Sequence, residues 1–403
     1  MQFHAYALAE AGWFVTVLAF QQSRPYPAVE GHRRIRLRPL IDLQLAQGPY
    51  LFTAAVRFIG HSLHLFYCLF FGVKRWELLF VQNPPALPTL PLCWMGNCWN
   101  NLFRREKGRF VIDWHNLGHK VLAQKLGDHA LLTRSYRSLE MRFGRRAQGH
   151  LCVSNALARH LSEHGGFSTP GVCYDRPPRF LFEGPASNEP LPPPIRSLLD
   201  QVPAGARLLV TGTSWTEDED PWLLVEAAAR FDHYLQGIGE EERCRYDALS
   251  LLFTGKGKGL HAFKEKLKGH RFAFVTVQTC WLSAQDYPIL LNQADWGVCL
   301  HTSASGLDLP MKLADMQGAG LPVLIYDYGP VLNERPGHVP VYLFKEVDTL
   351  FEHLRALARK DWQTVYAEAV KGRSPGAVQY WEEAWHGEAA PVLFGHDEKG
   401  PAA

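Results

Sequence analysis

The chain has 403 residues, 47% apolar and 20% charged, with 34 Gly and 27 Pro. That length suits two or three domains with sizeable cores, and the composition excludes a collagenous, coiled-coil or wholly disordered chain. The net charge of +2 conceals an asymmetry: residues 1–180 hold 22 Lys/Arg and 10 Asp/Glu (net +12), whereas 181–403 hold 20 and 30 (net −10). The basic part is suited to meet something anionic, yet no nucleic-acid-binding module accompanies it.

The opening MQFHAYALAEAG reads as a helix stopped at Gly12, followed by a strand over Phe14 to Phe20. It lacks the basic n-region and cleavage site of a signal peptide. RIRLRPL is a second strand. From Leu51 to Phe71, the residues Phe52, Val56, Ile59, Leu63, Phe66 and Phe70 form one apolar helix face, with Arg57, His61 and His64 off it. Packing on its own sheet, lying in a membrane interface and spanning a bilayer all stay open; spanning would cost about 3 kcal/mol for Arg57. The strands ELLFVQNPP, RFVIDWHN and HLCVSN follow. Asp113 and His115 are two apart at a strand end, so an extended chain puts them on one face, with Asn116 beside them. A His next to a carboxylate suits a general base for an attacking hydroxyl. His119 is expected at the surface.

Residues 184–204 read as a linker, with LPPP and EGPASNEP in or beside it. Beyond it come the strands RLLVTGT, SLLFTGKG, FAFVTVQT, WGVCLH and LPVLIYD. Apolar strands alternating with helices predict two α/β domains with parallel sheets, doubly wound and Rossmann-like, facing a cleft. The expected boundaries are 1–183, the linker, 205–370 and a C-terminal segment 371–403. After the first of these strands, Thr213 and Ser214 sit where a turn can hold a diphosphate. The acids Glu217, Asp218, Glu219 and Asp220 would repel one; helix-dipole complementation, a metal role and sugar-hydroxyl binding stay open for them. Pro221 starts a helix whose buried stripe is Leu224, Ala228, Phe231 and Leu235. In FTGKG, Gly255 and Gly257 permit close backbone approach to a ligand and Lys256 can neutralise phosphate. Farther on, Ser303, Ser305 and Gly306 line a loop before a helix opening at Pro310. Free amides there, with Lys312 one turn in, suit a diphosphate, and Asp315 on the same side suits sugar hydroxyls. The eight cysteines show no CxxC pair or zinc spacing and read as reduced core residues.

The ordered set QNPPALP (82–88), VIDWHNLGH (111–119), TSWTEDED (213–220), FTGKG (253–257) and the run from Trp281 to Val323 resembles the chitobiosyldiphosphodolichol β-mannosyltransferase family. The resemblance implies a GT-B glycosyltransferase with an acceptor- and membrane-facing first domain and a nucleotide-binding second domain. It implies GDP-mannose as donor, dolichol-diphosphate chitobiose as acceptor, and addition of the first β-1,4-mannose of the N-glycan precursor with inversion. The expected location is the cytosolic face of the endoplasmic reticulum membrane, with other dolichol-pathway glycosyltransferases as partners. Donor roles carry over to Thr213, Ser214, Gly255, Lys256, Gly257, Ser303, Ser305, Gly306, Lys312 and Asp315. The base is assigned to His115 with Asp113 from their chemistry, and acceptor binding to His115 and Asn116. No cofactor is required, and a divalent cation stays open. Family members carry a membrane anchor, a first strand and a Gly-containing loop ahead of MQFHAYALAEAG, so this chain is expected to lack them. Two alternatives follow: a non-catalytic membrane-associated relative, or a GT-B enzyme using another nucleotide sugar.

Overall fold

The computed structural model describes the chain apart from residues 21–23, 42–49, 74, 103, 183–189, 217, 338, 367–377 and 396–403, and the side chains of 50–52 and 54. It divides into two compact units, Met1–Tyr174 with Glu382–Ala403, and Asp175–Trp381. All ten strands read from apolar runs are present. In the first unit β1 (Val15–Phe20) and β2 (Ile35–Leu40) pair in parallel as a two-stranded sheet. A second parallel sheet has the order β3-β4-β5-β6, with β3 Leu78–Asn83, β4 Arg109–Trp114, β5 Gly149–Cys152 and β6 Gly171–Val172. Its centre is β4, where Phe110, Val111, Ile112 and Trp114 are fully buried, as a strand covered on both faces requires.

The second unit has one six-stranded parallel sheet, β12-β11-β10-β7-β8-β9. Its strands are β7 Arg207–Gly212, β8 Leu249–Thr254, β9 Val275–Cys280, β10 Trp296–Cys299, β11 Val323–Tyr326 and β12 Val341–Phe344. The helix Pro221–Gly237 begins at the proline, and Leu224, Ala228, Phe231 and Leu235 bury the expected stripe against this sheet's core.

Four expectations change. The segment read as a linker contains the helix Pro193–Leu199: paired prolines preset its first turn and Ile195 is fully buried. The helix Tyr50–Tyr67, continuing as a wider turn over Cys68–Gly72, does not bury its predicted face, because Ile59 and Leu63 are exposed. It buries Leu65, Cys68 and Leu69, the last against Gly96 of the helix Thr89–Asn101. Phe52 lies among the side chains outside those described. His119 is buried, not at the surface: its Nδ1 bonds Glu140 at 2.7 Å, and the same fully buried carboxylate accepts from Asn83 and from the Gly118 and His119 amides. A carboxylate on the neighbouring helix thus caps this helix start. Of the cysteines, 68, 93, 152, 173 and 299 are buried, whereas Cys98 and Cys244 are exposed.

The C-terminal segment returns to the first unit. Trp385 is buried, Phe394 stacks on Trp13 with ring centroids 4.9 Å apart, and Arg109 donates to the Val392 carbonyl.

Candidate functional site

In the second unit the winding reverses beside β7, with β8 and β9 laid to one side and β10, β11 and β12 to the other. In an open parallel sheet that switch point leaves a crevice at the carboxyl ends of the central strands. β7 delivers Thr213 and Ser214 there; β10 delivers His301 and Thr302. The two loops are tied together: Glu219 forms an isolated bridge with His301, and the Asp218 carbonyl accepts from the Thr302 amide at 3.0 Å and hydroxyl at 2.8 Å.

Glu219 is the buried anchor of this arrangement. Its carboxylate accepts from the Ser214 amide at 2.9 Å and from the Lys312 ammonium. Asp218 faces His301 Nδ1 at 3.2 Å, and Asp220 accepts from the Trp222 amide and caps the helix Pro221–Gly237. The acidic run therefore divides its charge among a lysine, a histidine and a helix start rather than massing against a phosphate. Glu217 lies outside the described residues. Burial pushes the Lys312 ammonium down to about 8, with Asp218 opposing the shift, so it remains largely charged at neutral pH.

Lys312 is engaged by Glu219, on the other loop of the crevice. Burial, helped by Asp175, pushes the Asp315 carboxyl up to about 7. The Tyr287 hydroxyl is buried without a hydrogen-bond partner among the described residues and lies 3.1 Å from where a Cβ on Gly212 would stand; Lys312 Cδ is 3.6 Å from the same point. A cation, a protonatable acid and an unpaired hydroxyl thus gather at the end of β7. Tyr287 was not singled out from sequence, and Glu219 only as one of four acids for which metal and sugar-hydroxyl roles stayed open.

The serine loop is more self-contained than expected. The Ser303 hydroxyl donates to Asp308 and accepts from the Ser305 and Gly306 amides; the Ser305 hydroxyl bonds Asp308 at 3.2 Å and accepts from the Leu307 amide. Those amides are engaged, so any anion here meets a loop already organised around Asp308, whose carboxyl burial pushes upward. The helix Met311–Gly318 that follows has no side-chain cap among the described residues.

The glycines of FTGKG serve close approach, but to the protein's own backbone. A Cβ on Gly255 (φ 140°) would stand 1.8 Å from the Thr213 carbonyl oxygen, and one on Gly257 2.0 Å from that of Ser214. The segment Thr213–Trp215 presses against them, with Trp215 itself at a φ of 56° and the Thr213 hydroxyl accepting from its amide. Lys256 is exposed and lies over the Trp281 ring, 4.6 Å from the centroid.

In the first unit Asp113 and His115 are brought together as expected, His115 Nε2 lying 2.8 Å from Asp113 Oδ2. Burial opposes ionisation of Asp113, but the charge and hydrogen bond of His115 outweigh it and hold the carboxyl down at about 2. With Asp113 ionised, the Nε2–H of His115 donates to it. Sequence reasoning missed His4. Its Nε2 lies 3.5 Å from the same Asp113 oxygen, and its Nδ1 accepts from the Trp385 indole at 3.0 Å. Burial drives the His4 imidazole down to about 3, so it is neutral and donates toward Asp113. Asn116 is used locally: its side chain accepts from the Leu117 amide and its carbonyl from Asn83.

Among the described residues, Asp218, Glu219 and His301 bring three potential metal-ligand atoms within 4.8 Å of one another. A divalent cation there would compete with Lys312 for Glu219. No family model matches the chain. Among curated proteins, a chitobiosyldiphosphodolichol β-mannosyltransferase of Homo sapiens is 35% identical over 98% of this chain and 89% of its own length. Its Mus musculus counterpart is 31% identical over 100% and 87%. A protein of Arabidopsis thaliana named UDP-glycosyltransferase TURAN is 34% identical over 98% and 94%. Among solved structures, WaaG, a glycosyltransferase involved in lipopolysaccharide biosynthesis, superposes with TM-score 0.59 at 15% identity over 98% of this chain and 94% of its own. A sucrose-phosphate synthase from Thermosynechococcus elongatus gives 0.61 at 15% over 94% and 88%. The shared fold is GT-B.

Proposed function

The chain belongs to the chitobiosyldiphosphodolichol β-mannosyltransferase family and is a glycosyltransferase, and from that premise we propose that it transfers mannose from GDP-mannose to chitobiosyl-diphosphodolichol. The observation that carries this reading is identity of 31–35%, spanning nearly the whole chain, to enzymes named for that reaction. In this reading His115 Nδ1 takes the proton from the 4-hydroxyl of the terminal N-acetylglucosamine. The oxygen attacks the mannose anomeric carbon from the face opposite the diphosphate, the bond to the phosphate oxygen breaks, and GDP leaves. Asp113 stabilises the imidazolium that forms. Lys312 offsets the charge growing on the diphosphate, and Asp315 and Tyr287 meet donor hydroxyls. Thr213, Ser214, Ser303, Ser305 and Gly306 shape the crevice that receives the donor.

Neither a metal nor another cofactor is part of this proposal; at Asp218, Glu219 and His301 a cation would compete with Lys312 for Glu219. The acceptor places the enzyme at the endoplasmic reticulum membrane, on its cytosolic side, beside other enzymes of the dolichol pathway. The Arabidopsis relative's name points to a UDP-linked donor, which supports a second reading with a different nucleotide sugar. Competition among GDP-, UDP- and ADP-sugars in a transfer assay separates the two. GDP-mannose should compete best and Lys312→Ala should largely abolish transfer; preference for a UDP-sugar, or normal turnover of the variant, would overturn the donor assignment.

A further inference from the structure

We propose that His4 and Trp385 are positioning residues for the base: the helix Trp381–Glu388 fixes, through His4, the carboxylate that orients His115. The inference rests on the reading of His115 as that base. Four side chains from three separate segments form one continuous series within the first unit. The Trp385 indole N–H donates to Nδ1 of His4, 381 residues away along the chain, at 3.0 Å. His4 Nε2 lies 3.5 Å from Asp113 Oδ2, and the same oxygen is 2.8 Å from His115 Nε2. His4, on the helix Gln2–Glu10, is buried together with Asp113 and Trp385. Phe80 of β3 packs edge-on with the His4 ring, centroids 4.9 Å apart, and restricts its rotation.

The indole sets the direction of these contacts. Its nitrogen can only donate, so His4 Nδ1 is the acceptor and the proton of the neutral ring sits on Nε2, facing Asp113. Burial, acting against the charge of Asp113, keeps that ring neutral. The other tautomer would set a lone pair against the carboxylate and an N–H against the indole N–H. A cationic His4 would meet the same indole and compete with His115 for the charge of Asp113. Trp385 thus selects the one state of His4 that turns an N–H dipole toward Asp113 and leaves the carboxylate's charge to the imidazolium. At 3.5 Å the contact is long for a hydrogen bond, so His4 acts chiefly through that dipole and by occupying the space beside the carboxylate. The other titratable groups that face the series are the Met1 amine and the Cys152 thiol of β5, which burial keeps protonated. A histidine and a tryptophan that only satisfied one another would be replaceable by apolar shapes at little cost.

Nuclear magnetic resonance of the full chain with ¹⁵N-labelled histidine tests the tautomer. The His4 signal, identified by its loss in His4→Gln, should show a proton on Nε2 and none on Nδ1 from about pH 5 to pH 8. A proton on Nδ1 or a cationic ring in that range would overturn the proposal. In Trp385→Phe the proton should spread to Nδ1. Kinetically, His4→Phe should lower kcat about 10–100-fold, the scale of losing an outer partner of a functional histidine, with the KM for GDP-mannose unchanged. The acid limb of kcat/KM should move to higher pH, because a carboxylate with fewer N–H partners holds the His115 proton more tightly. Trp385→Phe should act in the same direction. His4→Gln, whose amide offers a donor to Asp113 and an acceptor to the indole, should recover most of the rate. An unmoved acid limb in His4→Phe, or equal losses in the Phe and Gln variants, would assign the pair to packing and overturn the proposal. Should His4→Phe not fold, a wild-type rate and profile in Trp385→Phe would overturn it equally. His115→Ala separates the two levels: a wild-type rate there sinks the base reading, whereas its inactivity beside a normal His4→Phe sinks the positioning role alone.

Discussion

Replacing Asp315 by asparagine should stabilise the protein and weaken its hold on the donor at the same time. The carboxyl is pushed from 3.8 up to about 7 by burial and by Asp175. An acid with a raised folded-state value binds its proton more tightly folded than unfolded. It therefore costs nothing below pH ~4, costs more as pH rises toward ~7, and reaches its full penalty above that. The shift corresponds to about 4 kcal/mol, and the partial exposure of Asp315 brings the effective figure nearer 2. Asparagine keeps the shape and removes the titration. Calorimetric melting at pH 4 and pH 8 should show little difference at pH 4 and a gain of roughly 4–8 °C for Asp315→Asn at pH 8. If Asp315 meets donor hydroxyls, the same variant should raise the KM for GDP-mannose by about tenfold or more. Equal gains at both pH values, or none at pH 8, would refute the argument that an uncompensated buried acid sits at this helix.

Other expectations are simpler. Asp113→Asn should lower kcat by about 10²–10⁴ while donor affinity is kept, because the imidazolium of His115 loses its counter-charge; a wild-type rate would remove His115 from the base role. Loss of Trp385 or His4 should act through the same carboxylate: Trp385→Phe frees His4 Nδ1 and should shift the acid limb of the kcat/KM–pH profile, a change that a purely structural role would not produce. Gly255→Ala should cost at least about 3 kcal/mol in urea unfolding, since its Cβ would overlap the Thr213 carbonyl at a strained φ. EDTA should leave transfer intact; loss that Mg²⁺ or Mn²⁺ restores would place an ion at Asp218, Glu219 and His301.

What the sequence made legible was local. Strands buried on both faces announce themselves as apolar runs, so β4 and β7 could be read from composition. β6 and β12 escaped: the first is two residues long, and VYLF follows a Pro-rich stretch that hid its start. Asp113 and His115 were legible because two residues in an extended chain share a face. The contacts that organise both sites join distant positions. Lys312 finds Glu219 93 residues away, and Trp385 finds His4 381 residues away, and no periodicity encodes either. For the same reason the acidic run after Ser214 looked hostile to a phosphate: the lysine that occupies Glu219 arrives on the helix Met311–Gly318, beyond a different strand. His119 looked superficial because Glu140, its buried partner, lies on the next helix.

The most direct test is transfer itself. The purified chain, given GDP-[¹⁴C]mannose and a lipid-diphosphate chitobiose, should yield a trisaccharide lipid whose label is released by β-mannosidase and not by α-mannosidase. Label transferred only from a UDP-sugar, or a product open to α-mannosidase, would contradict the assignment of this chain as an inverting mannosyltransferase.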